Sequence, residues 1–217
     1  MGCQGCVIIQ TNACPHLPLA QRRIGLTGGI ATGKSTASRL LEQRHKLPLL
    51  DADVFSREAL QPASPGAAAV LKRYGEQVAA KDGLINRRAL GRIVFNDQAE
   101  RRWLEALLHP LVRERFDVEL ERLKAAPVVV LVIPLLFEAG LEAICSETWL
   151  VDCDEQQQLL RLMMRDQLSP TEAQARIAAQ WPLAQKRELA DRVISNRSTN
   201  EALAQRLAAA LQQSVSP

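Results

Sequence analysis

The sequence predicts an α/β domain built on a parallel β-sheet, and three observations support this prediction. A glycine-rich phosphate-binding pattern at 28–35 lies between an apolar strand and a helix. Six consecutive apolar residues at 128–133, five of them β-branched, are typical of a strand that is buried on both faces. Short apolar segments alternate with helical patterns, as in right-handed βαβ units. A chain of 217 residues can form one such domain with a small insertion.

The segment GGIATGKS at 28–35 fits the phosphate-loop pattern G-x-x-x-x-G-K-[ST] in full. Gly28 and the later glycines let the backbone wrap around phosphate oxygens, and the loop N–H groups form a positive concavity. Lys34 would reach the β- and γ-phosphates of a nucleoside triphosphate, and the Ser35 hydroxyl can ligate Mg²⁺. A glycine-rich turn without a ligand is the alternative, which the flanking strand and helix disfavour. The residues expected to hold the nucleotide are Gly29, Ile30, Ala31, Thr32, Gly33, Lys34, Ser35 and Thr36.

Bulk composition narrows the class of protein. The formal charge of +3 is too small to indicate nucleic-acid binding. No run of apolar residues is long enough for a membrane span, and the uncharged first 21 residues lack the basic region of a signal peptide. The five cysteines form no disulfide-like framework. These features predict a cytoplasmic protein without a membrane partner.

Residues 1–21 are predicted to be an extension to the domain. Cys3, Cys6, Cys14 and His16 are spaced C-x₂-C-x₇-C-x-H, which could bind a metal but matches no common zinc site. A poorly ordered extension, or a start codon placed too far upstream, is the favoured interpretation.

The next segments predict a second strand at 47–50, which ends in Asp51 and Asp53. The following residues contain no convincing strand, and their apolar spacing of three and four predicts helices at 67–74, 87–95, 98–108 and 110–123. His109 and Pro110 are expected to separate the last two helices. This helical stretch is far longer than a crossover needs, so we expect it to shape a substrate site, although it could be structural bulk.

Later segments complete the sheet. After the strand at 128–133, Trp149 to Val151 form the next predicted strand, which ends at Asp152 and Asp154. Helices are predicted at 156–167 and 170–180, and a last strand at 192–194 leads into Asn196. An amphipathic helix at 201–213 closes the chain.

Ligands bind at the carboxyl ends of the strands in an open parallel sheet. Many phosphate-loop proteins carry an Asp at the end of the central strand, but here that strand runs into Pro134. Asp51 or Asp53 is therefore expected to supply the carboxylate, either for Mg²⁺ or as a general base for an attacking hydroxyl. One of these two acids would instead cap the helix that starts near Val54, and the spacing alone does not say which.

Several basic residues are further candidates. Arg161 and Arg165 are four residues apart on a predicted helix, so they share a face that could close over transferring phosphates or simply be solvated. His109 could be structural. Arg88 and Arg113 could meet acidic groups of a substrate or point into solvent.

Five stretches together resemble the dephospho-CoA kinases, over about 24–210. The stretches are LTGGI at 26–30, DAD at 51–53, LLHPL at 107–111, PLLFE at 134–138 and RLMMRD at 161–166. The resemblance implies transfer of the ATP γ-phosphate, with Mg²⁺, to the ribose 3′-hydroxyl of dephospho-CoA. It also implies a P-loop NTPase-type three-layer fold with a five-stranded parallel sheet, a helical substrate-binding insertion and a small helical lid.

The resemblance also implies roles for single residues. It selects Asp53 as the base and groups Lys34, Arg161 and Arg165 with it as catalytic. Asn196 joins the nucleotide site. The implied acceptor contacts are Thr27, Asp51, Asp53, Arg88, His109, Arg113 and Leu136. The implied divisions are an extension at 1–21 and a kinase domain at 22–217, with a core at about 22–55, 126–160 and 188–217, an insertion at about 56–125 and a lid at about 161–187.

Two alternatives of other kinds stay open at this point. A phosphate-loop kinase for a nucleoside monophosphate or a sugar-like acceptor would share the loop, but the extended resemblance argues against it. A nucleotide-dependent switch would also share the loop, but the N-K-x-D motif of guanine-specific switches does not occur in this sequence. A monomer or a weak homo-oligomer is expected.

Overall fold

The computed structural model describes residues 21–213, and these form a sheet of five parallel strands between layers of helices. The strand order is β2-β3-β1-β4-β5, and every neighbouring pair is parallel, as the sequence predicted. The strands are β1 (Arg22–Gly28), β2 (Leu49–Asp51), β3 (Val128–Val132), β4 (Glu147–Asp152) and β5 (Arg192–Ser195).

Nine α-helices connect the strands within the described residues. They are α1 (Lys34–His45), α2 (Ala52–Glu58), α3 (Pro65–Tyr74), α4 (Arg87–Asn96), α5 (Gln98–Arg122), α6 (Glu155–Asp166), α7 (Pro170–Ala178), α8 (Leu183–Leu189) and α9 (Asn200–Gln212). The sequence did not predict α8. This helix has only seven residues and no capping side chain, so it carries little of the pattern that identifies helices.

Alternate residues of β3 face the two helical layers, as the period of a strand requires. Val130 and Val132 pack in one core cluster with Leu41 of α1 and Leu207 of α9. Val129, Leu131 and Ile133 pack in a second cluster with side chains of α2 and α5, among them Phe55 and Phe116. These two clusters confirm the three-layer arrangement.

The helical insertion has a small core of its own. Val70, Val78, Ile85 and Leu90 are buried together, and Trp103 of α5 packs against them. The helix α5 therefore contributes its first half to this cluster and its second half to the main core.

The predicted break at His109 and Pro110 is wrong, because α5 runs through both residues. A proline inside a helix removes one backbone hydrogen bond and costs about 3 kcal/mol. Apolar side chains on both sides of Pro110 are anchored in the two clusters, so packing holds the helix together. Ala106, four residues earlier, is exposed, so water can reach the carbonyl that loses its partner.

A buried carboxylate joins the first strand to the last two. Glu147 in β4 is 3% exposed and accepts hydrogen bonds from Arg22, from Trp149 Nε1 at 2.9 Å and from Arg192 Nε at 3.0 Å. Burial opposes ionisation of Glu147, but these donors together hold its pKa below the ordinary value of 4.5.

The predicted extension lies outside the described residues except for Gln21, and so do Cys3, Cys6, Cys14 and His16. Gln21 is part of the domain, since its Nε2 donates to the carbonyl oxygens of Leu123 (2.7 Å) and Ala126 (3.1 Å). Within 21–213, no helix combines the length and the apolar character needed to cross a bilayer.

Candidate functional site

An open cavity of about 960 Å³ lies at the carboxyl ends of the strands. The phosphate loop and the start of α1 form one wall, and α2 contributes Asp53. Residues of α5 also line the cavity, and α6 contributes Arg161 and Arg165. The cavity thus brings together twelve of the predicted site residues: Gly29, Ile30, Ala31, Gly33, Lys34, Ser35, Thr36, Asp53, His109, Arg161, Arg165 and Asn196.

The phosphate loop holds a shape that requires glycine at its sixth position. Gly33 has φ of 100°, and an added Cβ would lie only 2.0 Å from Asn196 Nδ2. Thr32 Oγ1 donates to the carbonyl of Gly29 at 2.9 Å, which closes the loop from inside. Within the described chain, the amides of Ala31, Gly33, Lys34 and Ser35 donate no hydrogen bond to another residue, so they are available to an anion.

Three amide side chains from later segments hold the loop. Asn196, which follows β5, donates from Nδ2 to the Thr32 carbonyl at 2.8 Å. Gln158 of α6 donates from Nε2 to the Ile30 carbonyl at 2.9 Å. Gln180 accepts the Ile30 N–H at its Oε1 at 2.8 Å. The backbone at Ile30 is therefore held through both its N–H and its C=O.

Lys34 stands at the first turn of α1 with two carboxylates near it. Burial lowers the pKa of the Lys34 ammonium, the negative charges of Asp53 and Asp51 oppose this effect, and the charge of Lys186 adds to the lowering. Lys34 therefore lies close enough to Asp51, Asp53 and Lys186 for their charges to affect it. Lys34 thus provides positive charge in a partly desolvated place, where it acts more strongly on a phosphate than in water.

The two acids after β2 have different surroundings. Asp51 caps α2, because its Oδ1 accepts the backbone N–H of Asp53 at 2.8 Å. Asp53 is exposed in the first turn of α2, and its side chain lines the cavity. The structure therefore assigns the capping role, which the sequence left open, to Asp51.

The two arginines of α6 both face the cavity but are held differently. Arg161 Nη2 donates to the Asn196 carbonyl at 3.0 Å, and its buried Nη1 meets no acceptor among the described residues. Arg165 forms a two-point ion pair with Asp166, with contacts of 2.8 and 3.0 Å. Arg161 is thus the arginine with an unused buried donor at the site.

The other six residues expected at the site do not line this cavity: Thr27, Thr32, Asp51, Arg88, Arg113 and Leu136. Thr27 and Thr32 are fully buried, Thr27 donating from Oγ1 to the Pro134 carbonyl at 3.2 Å. Leu136 is fully buried in the core, where its Cδ1 lies beneath Gly25. Asp51 is a helix cap. Arg88 lines a neighbouring groove, and Arg113 is exposed on the part of α5 beyond the cavity.

Sequence reasoning found His109 but missed its neighbours Arg101 and Glu105 at the cavity. Arg101, Glu105 and His109 are four residues apart along α5 and all line the cavity. Their spacing is a signal that could have revealed a polar helix face, had α5 been recognised as one helix. Gln158 and Gln180 carried no such signal, because their partner in the loop is more than 120 residues away in sequence.

The cavity residues suit a metal ion that is bound mainly through substrate phosphates and water rather than by protein side chains. Within the described residues, no group of three or more His, Cys, Asp and Glu side chains could hold a metal ion. Ser35 and Asp53 both line the cavity and offer oxygen ligands. Mg²⁺ commonly takes one or two protein oxygens together with substrate phosphates and water, and this pair suits that arrangement.

Comparison with known proteins identifies the family. A family model described as dephospho-CoA kinase matches residues 22–201. A dephospho-CoA kinase of Synechococcus sp. (strain CC9605) is 64% identical over 184 residues, which are 84% of this chain and 88% of that relative. One from Synechococcus elongatus is 51% identical over 181 residues, 83% of this chain and 87% of that relative.

Solved structures agree with this match. A protein from Thermus thermophilus superposes with a TM-score of 0.78 at 38% identity, covering 89% of this chain and 98% of that one. The dephospho-CoA kinase from Campylobacter jejuni gives 0.66 at 26% identity, covering 88% and 95%. A shikimate kinase from Bacteroides thetaiotaomicron, at 17% identity and a TM-score of 0.51 with 89% and 100% covered, shares the fold alone. On the match over 22–201 and these identities, this chain belongs to the dephospho-CoA kinase family.

Proposed function

We infer that this chain phosphorylates dephospho-CoA with ATP and gives CoA and ADP. The observation that carries this conclusion is the family match over 22–201, which spans the loop, the insertion and the segment of Arg161 and Arg165. The cavity agrees with a reaction of two substrates, because it is lined both by the phosphate loop and by the separate helix α5. The acceptor group is the ribose 3′-hydroxyl.

The phosphate loop is the proposed site of ATP. Four of its amides have no partner in the described chain, and Lys34 adds a charge beside them. These donors would bind the β- and γ-phosphates and keep them in place while the γ-phosphoryl group moves. Ser35 would also ligate Mg²⁺, which screens phosphate charge when it is bound.

Asp53 is the proposed general base. Its carboxylate lines the cavity, and its charge is felt at Lys34. It would accept the proton of the acceptor hydroxyl as that oxygen bonds to the γ-phosphorus and the bond to the ADP oxygen breaks. Asp51, which is engaged in capping, would support Asp53 by fixing the start of α2.

Arg161 and Arg165 are proposed to act on the charge of the transferring phosphoryl group. Both line the cavity from α6, and Arg161 has a buried donor to spare. Fixed donors directed at developing charge are often the largest contribution to catalysis. His109, together with Arg101 on the same face of α5, is proposed to contact the acceptor.

A direct assay tests the function. Purified protein is incubated with ATP, Mg²⁺ and dephospho-CoA, and CoA is quantified by chromatography beside ADP from a coupled reaction. We expect equal amounts of CoA and ADP, and no phosphorylation of shikimate or of a nucleoside monophosphate. ADP without CoA, or faster transfer to another acceptor, would refute the assignment.

We also propose that the protein acts in the cytoplasm on these small molecules, as a monomer or weak homo-oligomer without nucleic acid or membrane. The small net charge supports the expectation that no nucleic acid is bound. Light scattering of the purified protein across a range of concentrations would test the oligomeric state.

A further inference from the structure

A charged pair is buried beside the cavity and has no role in the reaction described above. Lys186 of α8 is fully buried, and its Nζ lies 2.6 Å from Oε1 of Glu138, which follows β3. This contact is an ion pair without hydrogen-bond geometry, and within the described residues neither Lys186 Nζ nor Glu138 Oε2 has a hydrogen-bond partner. An apolar pair of similar volume commonly stabilises a core as well as such an ion pair does, or better. Stability alone therefore does not account for these two residues.

The pair connects the end of β3 to the turn between α7 and α8. Glu138 Oε1 accepts the backbone N–H of Trp181 at 3.2 Å as well as contacting Lys186. The residue before Trp181 is Gln180, whose Oε1 accepts the Ile30 N–H in the phosphate loop at 2.8 Å. A continuous series of contacts thus leads from Lys186 through Glu138 and the 180–181 backbone to the loop.

Gln180 holds the loop without occupying the amides that face an anion. It takes only the Ile30 N–H, while Gln158 takes the Ile30 carbonyl from the other side. The neighbouring amides of Ala31 and Gly33 donate to no other described residue. Because the N–H and the C=O of Ile30 belong to the two peptide groups on either side of its Cα, fixing both limits rotation of the loop there, so these amides stay in the arrangement that a phosphate needs.

The lysine also affects the site through its charge. Lys186 is close enough to Lys34 to contribute to the lowered pKa of the Lys34 ammonium. Lys186 therefore lies near Lys34 and also belongs to the series of contacts that holds the loop.

We propose that Glu138, Lys186 and Gln180 are positioning residues for ATP: the buried pair fixes the turn between α7 and α8 so that Gln180 holds the Ile30 peptide and keeps the phosphate loop ready for the triphosphate. None of the three needs to touch the reacting atoms. The inference rests on the proposed nucleotide site at the loop.

The test compares steady-state kinetics of Gln180→Ala, Lys186→Met and the double variant, with Gln185→Ala as control. Gln185 is exposed on α8 and makes no side-chain hydrogen bond with the described residues. We expect each single variant to raise KM for ATP about tenfold or more, since misplacing a binding group costs up to about a hundredfold. We expect much smaller changes in kcat and in KM for dephospho-CoA. Because Lys186 acts through Gln180, the double variant should be no worse than the poorer single variant.

Two further variants separate positioning from stability. Lys186→Arg should restore KM for ATP, because it keeps the ion pair. Glu138→Leu combined with Lys186→Met should restore the thermal midpoint but not KM for ATP. Normal KM in this apolar double variant, or effects that multiply between Gln180→Ala and Lys186→Met, would overturn the inference. If Lys186→Met does not fold, a normal KM for ATP in Gln180→Ala would overturn it.

The variant Lys34→Ala distinguishes a failure of the proposed nucleotide site from a failure of the positioning inference. If Lys34→Ala leaves ATP affinity unchanged in calorimetry, the proposed nucleotide site is wrong. If Lys34→Ala weakens ATP binding while Gln180→Ala does not, the site stands and the positioning inference alone fails.

Discussion

The Asp51 carboxylate accepts the backbone N–H of Asp53 at 2.8 Å, so the first acid after β2 orients the helix on which the second acid stands. The two residues are chemically identical, but this hydrogen bond gives them different roles. Asp51 has an oxygen engaged at the start of α2, whereas Asp53 stands exposed at the cavity. The roles of the two residues can therefore be compared directly by making the same substitution in each.

We expect Asp53→Asn to lose about a hundredfold to ten-thousandfold in kcat, because an amide cannot accept the hydroxyl proton. Affinity for ATP should stay within about threefold, as no phosphate contact is removed. Single-turnover formation of CoA, together with calorimetric binding of ATP, measures both quantities.

The matched variant is Asp51→Asn, since asparagine caps helices about as well as aspartate. A smaller loss of kcat is expected there, and the thermal midpoint should hardly change. If Asp51→Asn were the more damaging of the two substitutions, the base would have to be reassigned.

Arg161→Lys should lower kcat by about a hundredfold, although the charge is kept, because lysine lacks the planar set of donors. The buried Nη1 without a partner marks the donor that is lost. Arg165→Lys should cost less, because Asp166 already engages two of the Arg165 nitrogens. Arg39→Lys on the exposed face of α1 serves as control, and equal losses in all three would argue against the proposed role.

Gly33→Ala should destabilise the protein by about 1–3 kcal/mol and abolish measurable ATP binding. The reason is the left-handed φ of 100° and the approach of Asn196 Nδ2 to the position of a Cβ. Urea unfolding and calorimetry measure the two effects. Gly91→Ala within α4 is the comparison, since nothing lies within 4 Å of its Cβ position. That variant should be more stable by about 0.5–1 kcal/mol, and destabilisation there would contradict the argument.

We expect low pH to reduce the free energy of unfolding partly because Glu147 becomes protonated. Its folded-state pKa lies below the ordinary 4.5, so it contributes stability above pH 4.5 that is lost as the pH falls further. We expect Glu147→Gln to be less stable than the wild type at pH 7, and the difference to shrink between pH 5 and pH 3. Urea unfolding at a series of pH values measures this gap, and a constant gap would exclude the linkage.

Much of the fold could be predicted because its signals are local. The apolar run at 128–133 is buried on both faces, so it has no polar alternation and is recognisable as a central strand. The phosphate loop is recognisable from the spacing of its glycines, lysine and serine. The helix α5 was predicted as two helices because proline is a strong local signal, whereas the apolar contacts on either side of Pro110 are tertiary. Local propensity was thus overridden by packing that no window of sequence contains.

The site was less predictable than the fold for a related reason. Lys34, Asp53 and Arg161 could be proposed from the sequence because Lys34 lies in a motif, Asp53 follows a predicted strand, and Arg161 is four residues from a second arginine on a predicted helix. Gln180 and Lys186 could not, because a single glutamine or lysine on a helical segment is ordinary until its distant partner is known. Leu136 is a different case: it lies in a stretch that resembles the family, and its side chain is buried in the core.

The hydrogen bond from Asn196 to the Thr32 carbonyl spans 164 positions of the chain. All eight residues of the phosphate loop leave the ribosome early in synthesis, but the side chains that hold the loop at Ile30 and Thr32 follow only with α6, the end of α7 and β5. A nascent chain halted before β5 would contain the complete motif but lack Asn196. The contacts that hold the loop in this shape are therefore complete only when almost all of the domain has been synthesised.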